Sequence, residues 1–341
     1  MINVGLFSAH DPQLWLRQTI KGDGAWGSIK VRANPIDYND HYIAIYDVPK
    51  HSFFTKVPKL NRILFLTEPP GSKFYSPFYL SQFGTIISPF RLNKLIELYV
   101  KFWGSEIRYQ QACLPWHAGI NFSVRPHLVN MSFSDFNNLT QPTHYKHRLS
   151  IVTSNKKDRP EQIRRLKLIK ELQNRLGDQI AIYGRGFNNI NDKFDGIFGS
   201  QFHLVLENNF ENNFWTEKLS DSYLCWSYPL YLGTSGICQD FPKNSYFRLD
   251  SNLSISEIAD KIVERLQRGL IDQDIAAMKV AREIILQKHN LFAVMESLID
   301  QLPASDLLEI PEKINSNFDP RPKIVIKKVR RHLKAKLKNV N

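Results

Sequence analysis

Charged and amide side chains stand in the second half of the chain where predicted strands end and a predicted helix begins. An apolar run at 203–206 ends at Glu-Asn (207–208), and after a polar loop the triplet Thr-Glu-Lys at 216–218 opens a helical pattern. A second apolar run at 229–232 stops at a glycine. Ligands of open α/β sheets bind at the carboxyl ends of strands, where a helix N-terminus offers unpaired N–H groups to an anion. Because the triplet adds a lysine at the same place, the segment predicts a site for a phosphate-bearing ligand.

The ordered pattern in this segment is similar to a family signature. Glu-Asn at 207–208, Thr-Glu-Lys at 216–218 and Pro-x-Tyr-x-Gly at 229–233 together resemble the donor-binding signature of the family 10 glycosyltransferases, the α-1,3/1,4-fucosyltransferases. A weaker likeness extends over residues 62–250. The resemblance implies an α/β fold of GT-B architecture, in which two Rossmann-like domains face a cleft. It also implies that the N-terminal half binds the acceptor, that the C-terminal half binds the nucleotide sugar, and that no metal or other cofactor is required.

The resemblance implies a set of donor-binding residues. Glu217 would accept hydrogen bonds from the ribose hydroxyls of the nucleotide, and Asn208 would bind the sugar or a phosphate. Lys218 and Arg165 would bind the diphosphate, because fixed positive charge suits its oxygens. The adjacent Arg164 is the alternative to Arg165. Each residue also has a purely structural alternative, as an acid at a helix N-terminus, a turn residue after a strand, or a cation on a solvated helix face.

Other residues extend this site. Glu68 ends the apolar run at 62–67 and precedes a Pro-Pro-Gly turn. This pattern resembles the family segment that supplies the catalytic base; the alternative is a carboxylate satisfied by backbone N–H groups. Arg185, within Tyr-Gly-Arg-Gly, is similar to a family element near the guanine or the phosphates. Phe214 stands where bacterial members often carry Tyr, which leaves the identity of the donor sugar open. His117 is predicted to be structural rather than catalytic.

The alternation of apolar runs with helical patterns predicts a parallel α/β sheet in each half of the chain. Capping-box patterns at 158–161 and 254–257 mark helix starts. The polar stretch 130–147 has no clear period and is interpreted as a linker. We therefore predict an N-terminal acceptor-binding domain at 1–147, a C-terminal nucleotide-sugar-binding domain at 148–302 and a basic tail at 303–341.

The positive charge of the chain is concentrated at its C-terminus. The formal net charge is +12, and nine Lys or Arg and no acid follow Asp319. Ile326, Val329, Leu333 and Leu337 recur at helical spacing, so the tail is predicted to form a basic amphipathic helix that binds an anionic membrane surface. The alternatives are a disordered, solvated tail and a nucleic-acid-binding segment. Binding to nucleic acid is not expected, since no motif for it accompanies the charge.

The composition favours a folded protein of a reducing compartment. Hydrophobic residues make up 43% of the chain, which is enough for packed cores, and three scattered cysteines suggest neither a disulfide framework nor a zinc site. No signal peptide or membrane-spanning segment is evident in the sequence. Animal and plant members of the resembled family carry a Golgi membrane anchor. We therefore expect a bacterial-type enzyme in the cytoplasm, peripheral on the inner face of the cell membrane.

These inferences combine into one predicted function with two alternatives. The predicted function is an inverting glycosyltransferase that transfers L-fucose from GDP-fucose to a hydroxyl of a glycan acceptor of the lipopolysaccharide or capsule type. The first alternative is a related GT-B transferase that uses a different nucleotide sugar. The second is a non-enzymatic basic protein that binds nucleic acid.

Overall fold

A computed structural model of the chain describes residues 1–36, 40–316, 325, 326 and 329. In chain order the strands are β1 (Ile2–Phe7), β2 (Ala25–Trp26), β3 (Ile29–Ala33), β4 (Tyr42–Tyr46), β5 (Phe53–Thr55), β6 (Arg62–Phe65), β7 (Thr85–Ser88), β8 (Glu106–Tyr109), β9 (Ile120–Asn121), β10 (Leu128–Val129), β11 (His147–Val152), β12 (Ile180–Tyr183), β13 (Ser200–Leu206), β14 (Tyr228–Leu232), β15 (Phe247–Arg248) and β16 (Glu312–Ile314). The helices are α1 (Gln13–Leu16), α2 (Pro77–Leu80), α3 (Lys94–Phe102), α4 (Phe133–Asn138), α5 (Pro160–Leu176), α6 (Lys193–Ile197), α7 (Glu217–Leu224), α8 (Ile255–Arg268), α9 (Asp272–Gln287) and α10 (Leu291–Ile299).

The chain divides into two compact units. Unit 1 comprises Met1–Pro12, Asp23–Ala112 and the described residues from Leu291 on, and unit 2 comprises Gln13–Gly22 and Cys113–Asn290. This division differs from the predicted boundaries after residues 147 and 302. An early segment and the region that leads into β11 pack with the C-terminal sheet, whereas α10 and β16 pack with the N-terminal one.

Unit 1 is built on a largely parallel sheet. Its strand order is β2-β3-β1-β4-β6-β7-β8, and each pairing is parallel except that of β2 with β3. The strands β4, β6 and β7 are buried along their whole length. Strands that are covered on both faces read as continuous apolar runs rather than alternating ones, which is why the sequence patterns predicted them. A separate antiparallel pair joins β5 to β16.

Unit 2 contains a fully parallel sheet with the strand order β12-β11-β13-β14-β15. The helices α5, α6 and α7 contact β12, β11 and β14 respectively. The apolar runs at 203–206 and 229–232, which were predicted to be strands, lie in β13 and β14. The prediction of an α/β fold with a Rossmann-like domain in each half is therefore confirmed. Because the strands of unit 2 are parallel, their carboxyl ends meet at one edge of the sheet, where a site can form.

The prediction of a linker at 130–147 is wrong. The helix α4 begins after Ser132, which forms a capping box with Asp135. Phe133 and Phe136 on this helix are buried in unit 2. Only these two apolar side chains mark the buried face of a short polar helix, so the sequence shows no clear helical period there.

The two predicted capping boxes have different outcomes. At α8 the box is confirmed, since the side chains of Ser254 and Glu257 bond reciprocally to backbone N–H groups. At α5 it is wrong, because the N-cap is Arg159 and its side chain makes no cap hydrogen bond. The helix begins at Pro160, one residue too late for Asp158 to cap it. Proline in the first turn has no N–H to satisfy, and its fixed φ angle suits the helix.

The basic tail lies largely outside the described residues. Val325, Ile326 and Val329 are helical, and the amphipathic helix as a whole stays a prediction. In the part of the chain that the structure describes, none of the helices combines the length and the apolar character that crossing a membrane requires.

One buried arginine holds the segment Gln13–Gly22 in unit 2. The Arg17 guanidinium donates to the backbone carbonyls of Met131 (2.7 Å) and Trp116 (2.5 Å). The Arg17 carbonyl in turn accepts from the Phe133 N–H (2.8 Å). Burial lowers the pKa of Arg17 to about 10, so the guanidinium stays charged at neutral pH. These bonds explain why an early segment of the chain belongs to the second unit.

Replacing Arg17 by methionine is expected to destabilise unit 2. The R17M variant leaves two buried carbonyls without their donor, and loss of such a buried, charged hydrogen-bonding group costs about 2–4 kcal/mol. Urea unfolding followed by circular dichroism should show this decrease in the free energy of unfolding. The control K21M, at an exposed position of the same segment, should change it by less than about 0.5 kcal/mol. An R17M protein as stable as wild type would contradict this role.

Candidate functional site in unit 2

The carboxyl ends of β11 and β12 lie side by side at one edge of unit 2. The Thr153 N–H donates to the Tyr183 carbonyl (2.9 Å), and the Asn155 N–H donates to the Arg185 carbonyl (3.0 Å). Gly184 makes this close approach possible, since its φ is +111° and a Cβ there would lie 1.9 Å from the Thr153 oxygen. The predicted residue Arg185 therefore lies at this edge, with an exposed side chain.

The structure separates the two candidate arginines. Arg165 donates from Nη1 to Asn208 Oδ1 (3.3 Å) and from Nη2 to the Ser154 carbonyl (3.2 Å), so it bridges the ends of β11 and β13. Arg164 instead donates to the Leu253 carbonyl (2.6 Å). Burial lowers the pKa of Arg165. Its Nε is buried and has no hydrogen-bond partner among the described residues. A buried donor normally has an acceptor, so this one suits an acceptor from a ligand.

A buried carboxylate organises the start of α7. Glu207 directly follows β13, and its side chain is 0% exposed. It accepts from the Thr216 N–H (2.8 Å) and hydroxyl (2.9 Å), and it pairs with Lys218 Nζ at 3.2 Å. Thr216 is also the N-cap of α7 and accepts from the Lys218 N–H (3.4 Å). The predicted helix start at 216–218 is therefore confirmed, and Glu207 joins it to the end of β13.

Lys218 retains a donor for a ligand. Its Nζ donates to Glu207 (3.2 Å) and to Thr216 Oγ1 (2.9 Å), whereas the Glu217 oxygen is 3.8 Å away. An ammonium group has three N–H donors, so one remains after these two bonds. Burial opposes the charge, but Glu207 and Glu217 outweigh burial and raise the pKa of Lys218. The ammonium is therefore charged at neutral pH.

Glu217 makes its polar contacts through one carboxylate oxygen. Oε1 lies 3.1 Å from Lys193 Nζ, 3.6 Å from His117 Nδ1 and 3.8 Å from Lys218 Nζ. None of the described residues forms a hydrogen bond with Oε2. Burial opposes ionisation, but Lys218 and Lys193 outweigh burial and keep the pKa of Glu217 well below its usual range. The anionic carboxylate thus has one oxygen that can accept from ligand hydroxyls.

Lys193, His117 and Asp221 belong to the site, although the sequence analysis did not place them there. Lys193 Nζ lies 3.3 Å from Asp221 Oδ2, and Asp221 Oδ1 accepts from the N–H groups of His117 (2.8 Å) and Ala118 (2.9 Å). Loss of hydration and the neighbouring Lys193 lower the pKa of His117 to about 3, so its ring is neutral. One feature of the sequence could have indicated Lys193. It stands at the first position of a helix, where acidic residues are favoured over lysine.

Glu68 belongs to unit 1. It follows β6, its side chain is exposed, and its backbone N–H donates to Tyr75 Oη (3.2 Å). The Tyr75 hydroxyl donates to Asp47 Oδ1 (2.6 Å), and Lys73 Nζ pairs with Asp47 Oδ2 (2.6 Å). These bonds hold the turn that carries Glu68 next to the end of β4. Asp47 is not among the residues predicted from the sequence, and the role of Glu68 as base stays a prediction.

The polar groups of unit 2 suit a ligand with both phosphate and hydroxyl groups. Lys218 and Arg165 offer charged donors near the N-terminus of α7, and such donors bind phosphate oxygens. Glu217 Oε2 offers an acceptor oxygen for hydroxyls, and Asn208, whose Oδ1 accepts from Arg165, offers its amide N–H group. No group of three or more His, Cys, Asp or Glu side chains within the described ranges is placed to hold a metal ion.

Comparison with known proteins points to the same region. Residues 142–268 match the family described as glycosyltransferase family 10 (fucosyltransferase), C-terminal part, and this range includes the site residues from 153 to 221. None of the curated proteins matches the chain significantly. Similar solved structures include an α1,3-fucosyltransferase with GDP, at 14% identity over 90% of this chain and 91% of that chain, with a TM-score of 0.47. Two others are an α1,3-fucosyltransferase with GDP-fucose, at 13% identity, 91% and 93% coverage and a TM-score of 0.46, and a trehalose-6-phosphate synthase, at 10% identity, 81% and 74% coverage and a TM-score of 0.47.

The lowered pKa of Glu217 predicts a pH-dependent contribution to stability. A carboxylate whose pKa is lower in the folded than in the unfolded state stabilises the fold above its unfolded pKa, here 4.5. This contribution is lost as the pH falls towards the folded-state pKa. Urea titrations should therefore show a difference in unfolding free energy between wild type and E217Q that is constant from about pH 6 to 8 and shrinks below about pH 4.5. For the exposed Glu161, the E161Q variant should show no such change. A difference that persists undiminished to about pH 3 would contradict the charged state of Glu217.

Proposed function

We propose that the chain, whose residues 142–268 match glycosyltransferase family 10, transfers L-fucose from GDP-fucose to a hydroxyl of a glycan acceptor, with inversion at the anomeric carbon. The chain is a glycosyltransferase. The donor, the stereochemistry and the acceptor are the parts that we propose. Support comes from the family's description as fucosyltransferases and from the donors and acceptors at the edge of unit 2.

The observation that carries this proposal is the grouping of Lys218, Arg165 and Glu217 at one edge of a parallel sheet. The third N–H of Lys218 and the Nε–H of Arg165 would bind diphosphate oxygens, since charge-assisted hydrogen bonds are the strong ones. Glu217 Oε2 would accept from the vicinal ribose hydroxyls. Asn208, which already accepts from Arg165 at 3.3 Å, would offer its amide N–H group to the sugar or to a phosphate oxygen.

Transfer of the sugar requires removal of one proton and stabilisation of the departing diphosphate. The acceptor oxygen would form its bond to C1 of fucose as the bond from C1 to the β-phosphate oxygen breaks. Glu68 would take the hydroxyl proton, and GDP would leave with its new negative charge opposite Lys218 and Arg165. Attack from the face opposite the diphosphate inverts C1. The exposed position of Glu68 at the carboxyl end of a strand supports its role as base.

One observation favours a second candidate, a transferase with a different nucleotide sugar. Phe214 stands in the loop between β13 and α7 and is only 6% exposed. A phenyl ring has no hydroxyl to bond the donor, whereas bacterial relatives often carry tyrosine at this place. The contact that a tyrosine would make with the sugar is therefore missing. Binding measurements with a panel of nucleotide sugars would identify the donor.

The acceptor and the location complete the proposal. We infer that the acceptor is a lipopolysaccharide- or capsule-type glycan and that the tail holds the enzyme on the inner face of the cell membrane. The support is the run of nine Lys or Arg after Asp319, because each cation near an anionic membrane contributes about 1 kcal/mol of attraction. All nine of these cations lie outside the described residues.

Lys218→Ala is expected to remove most donor binding. Loss of one charged donor to a diphosphate in a partly buried site lowers kcat/KM by about 10²–10³-fold. The rise in Tm on addition of GDP should largely disappear in K218A and persist in K170A, which replaces an exposed lysine of α5.

A panel of GDP- and UDP-sugars, read by thermal shift and by mass spectrometry of products, identifies the donor. Stabilisation by UDP-sugars alone would favour the second candidate, and no response to any nucleotide sugar would contradict the proposed function.

Glu68→Gln is expected to abolish transfer while donor binding remains. A general base contributes about 10²–10⁴-fold to the rate, so kcat should fall by that factor. The Kd for GDP should stay within about twofold of the wild-type value, since Glu68 makes no contact with the nucleotide in this mechanism. The control E309Q, at an exposed glutamate of unit 1, should retain full activity. Transfer by E68Q at the wild-type rate would show that another group is the base.

A further inference from the structure

Lys193 stands where its own helix disfavours a lysine. It is the first residue of α6, and the positive end of the helix dipole repels a cation at this place. The N-cap Asp192 directs its carboxylate to other donors: its Oδ1 accepts from the N–H groups of Phe194 (2.9 Å) and Gly119 (2.8 Å), and its Oδ2 accepts from Asn130 (2.9 Å). The partners of the Lys193 ammonium therefore come from elsewhere in unit 2.

The three N–H donors of the Lys193 ammonium contact three groups of the candidate site. Nζ lies 3.1 Å from Glu217 Oε1, 3.3 Å from Asp221 Oδ2 and 3.4 Å from His117 Nδ1. Burial opposes its charge, but Glu217 and Asp221 outweigh burial and raise the pKa of Lys193. An ammonium has three N–H donors, so Lys193 differs from Lys218 in keeping none for a ligand. Any effect of Lys193 on a ligand must pass through its partners.

The partner that faces a ligand in the proposed donor site is Glu217. Lys193 bonds Oε1 alone, which fixes the rotation of the carboxylate and leaves Oε2 to accept. The second lysine near this group, Lys218, is 3.8 Å from Oε1, beyond hydrogen-bond distance. Lys193 is therefore the group that orients Glu217, and the neutral His117 ring, which accepts at Nδ1, carries its proton at Nε2.

We propose that Lys193 is a positioning residue that holds Glu217 in the orientation in which Oε2 accepts hydrogen bonds from the ribose hydroxyls of the donor nucleotide. This inference rests on the proposed donor site. It assigns to Lys193 a role in nucleotide selection without contact with the nucleotide. The ribose diol is the chemical group through which Lys193 acts.

A purely structural role makes a different prediction. Asp221 is 0% exposed, and Lys193 is the cation beside it. If neutralising Asp221 were the whole role of Lys193, its loss would destabilise unit 2 and weaken every nucleotide to the same degree. A ligand that lacks the ribose hydroxyls therefore distinguishes the two roles.

The experiment compares the binding of GDP and of 2′,3′-dideoxy-GDP to the full chain by calorimetry. Hydrogen bonds to a charged carboxylate contribute about 1.5–3 kcal/mol, so wild type should bind GDP at least about tenfold more tightly than the dideoxy analogue. In K193M this ratio should fall to about one, because the misoriented Glu217 no longer distinguishes the two ligands, while the Kd for dideoxy-GDP stays near its wild-type value. The control K170M should keep the wild-type ratio.

Each other outcome has a defined meaning. Equal weakening of both ligands in K193M, or an unchanged ratio, overturns the positioning role. A wild-type ratio of one also overturns it, while tight binding of both ligands leaves the proposed function standing. Wild type that binds neither ligand refutes the proposed function itself. If K193M does not fold, K193A, which also removes the donor to Glu217, takes its place with the same expected collapse of the ratio.

Discussion

A buried carboxylate at the end of a strand must be paired, and the candidate site is arranged around this constraint. The Glu207 side chain is inaccessible to solvent, and an uncompensated buried charge costs several kcal/mol. Its partners, Thr216 and Lys218, stand on the first turn of α7, so the pairing brings the helix N-terminus to the end of β13. The cation that neutralises Glu207 is also the one that retains a donor for a ligand. One interaction therefore stabilises the unit and places a positive charge at the proposed phosphate site.

The candidate site has no excess of positive charge and relies on directed donors. Glu207, Glu217 and Asp221 lie beside Lys193 and Lys218, so net positive charge is not what distinguishes this edge of the sheet. In the proposed donor site, binding of a diphosphate would depend on individual N–H groups, such as the buried Nε of Arg165, and not on a long-range field. The two lysines have different roles. Lys193 bonds only to groups of the protein, whereas Lys218 keeps one N–H donor for the ligand.

Local features of the site could be predicted from the sequence, whereas its long-range contacts could not. The helix start at 216–218 could be predicted because a capping threonine and the backbone N–H that it accepts from lie two residues apart in the chain. The choice between Arg164 and Arg165 depends on the rotation of α5 relative to β13, which a sequence pattern does not determine. The contact of Lys193 with Glu217 spans 24 residues, and that of His117 with Asp221 spans 104. For the same reason the predicted domain boundaries differ from the observed division, because Arg17 joins an early segment of the chain to carbonyls about a hundred residues later.

The most direct test of this account is a crystal structure of the full chain with GDP bound. If this edge of unit 2 is the nucleotide-sugar site, the diphosphate oxygens lie within hydrogen-bond distance of Lys218 Nζ and Arg165 Nε, and the ribose hydroxyls face Glu217 Oε2. GDP bound at another surface, or phosphates that contact neither Lys218 nor Arg165, would contradict the claim that this edge of unit 2 is the nucleotide-sugar site.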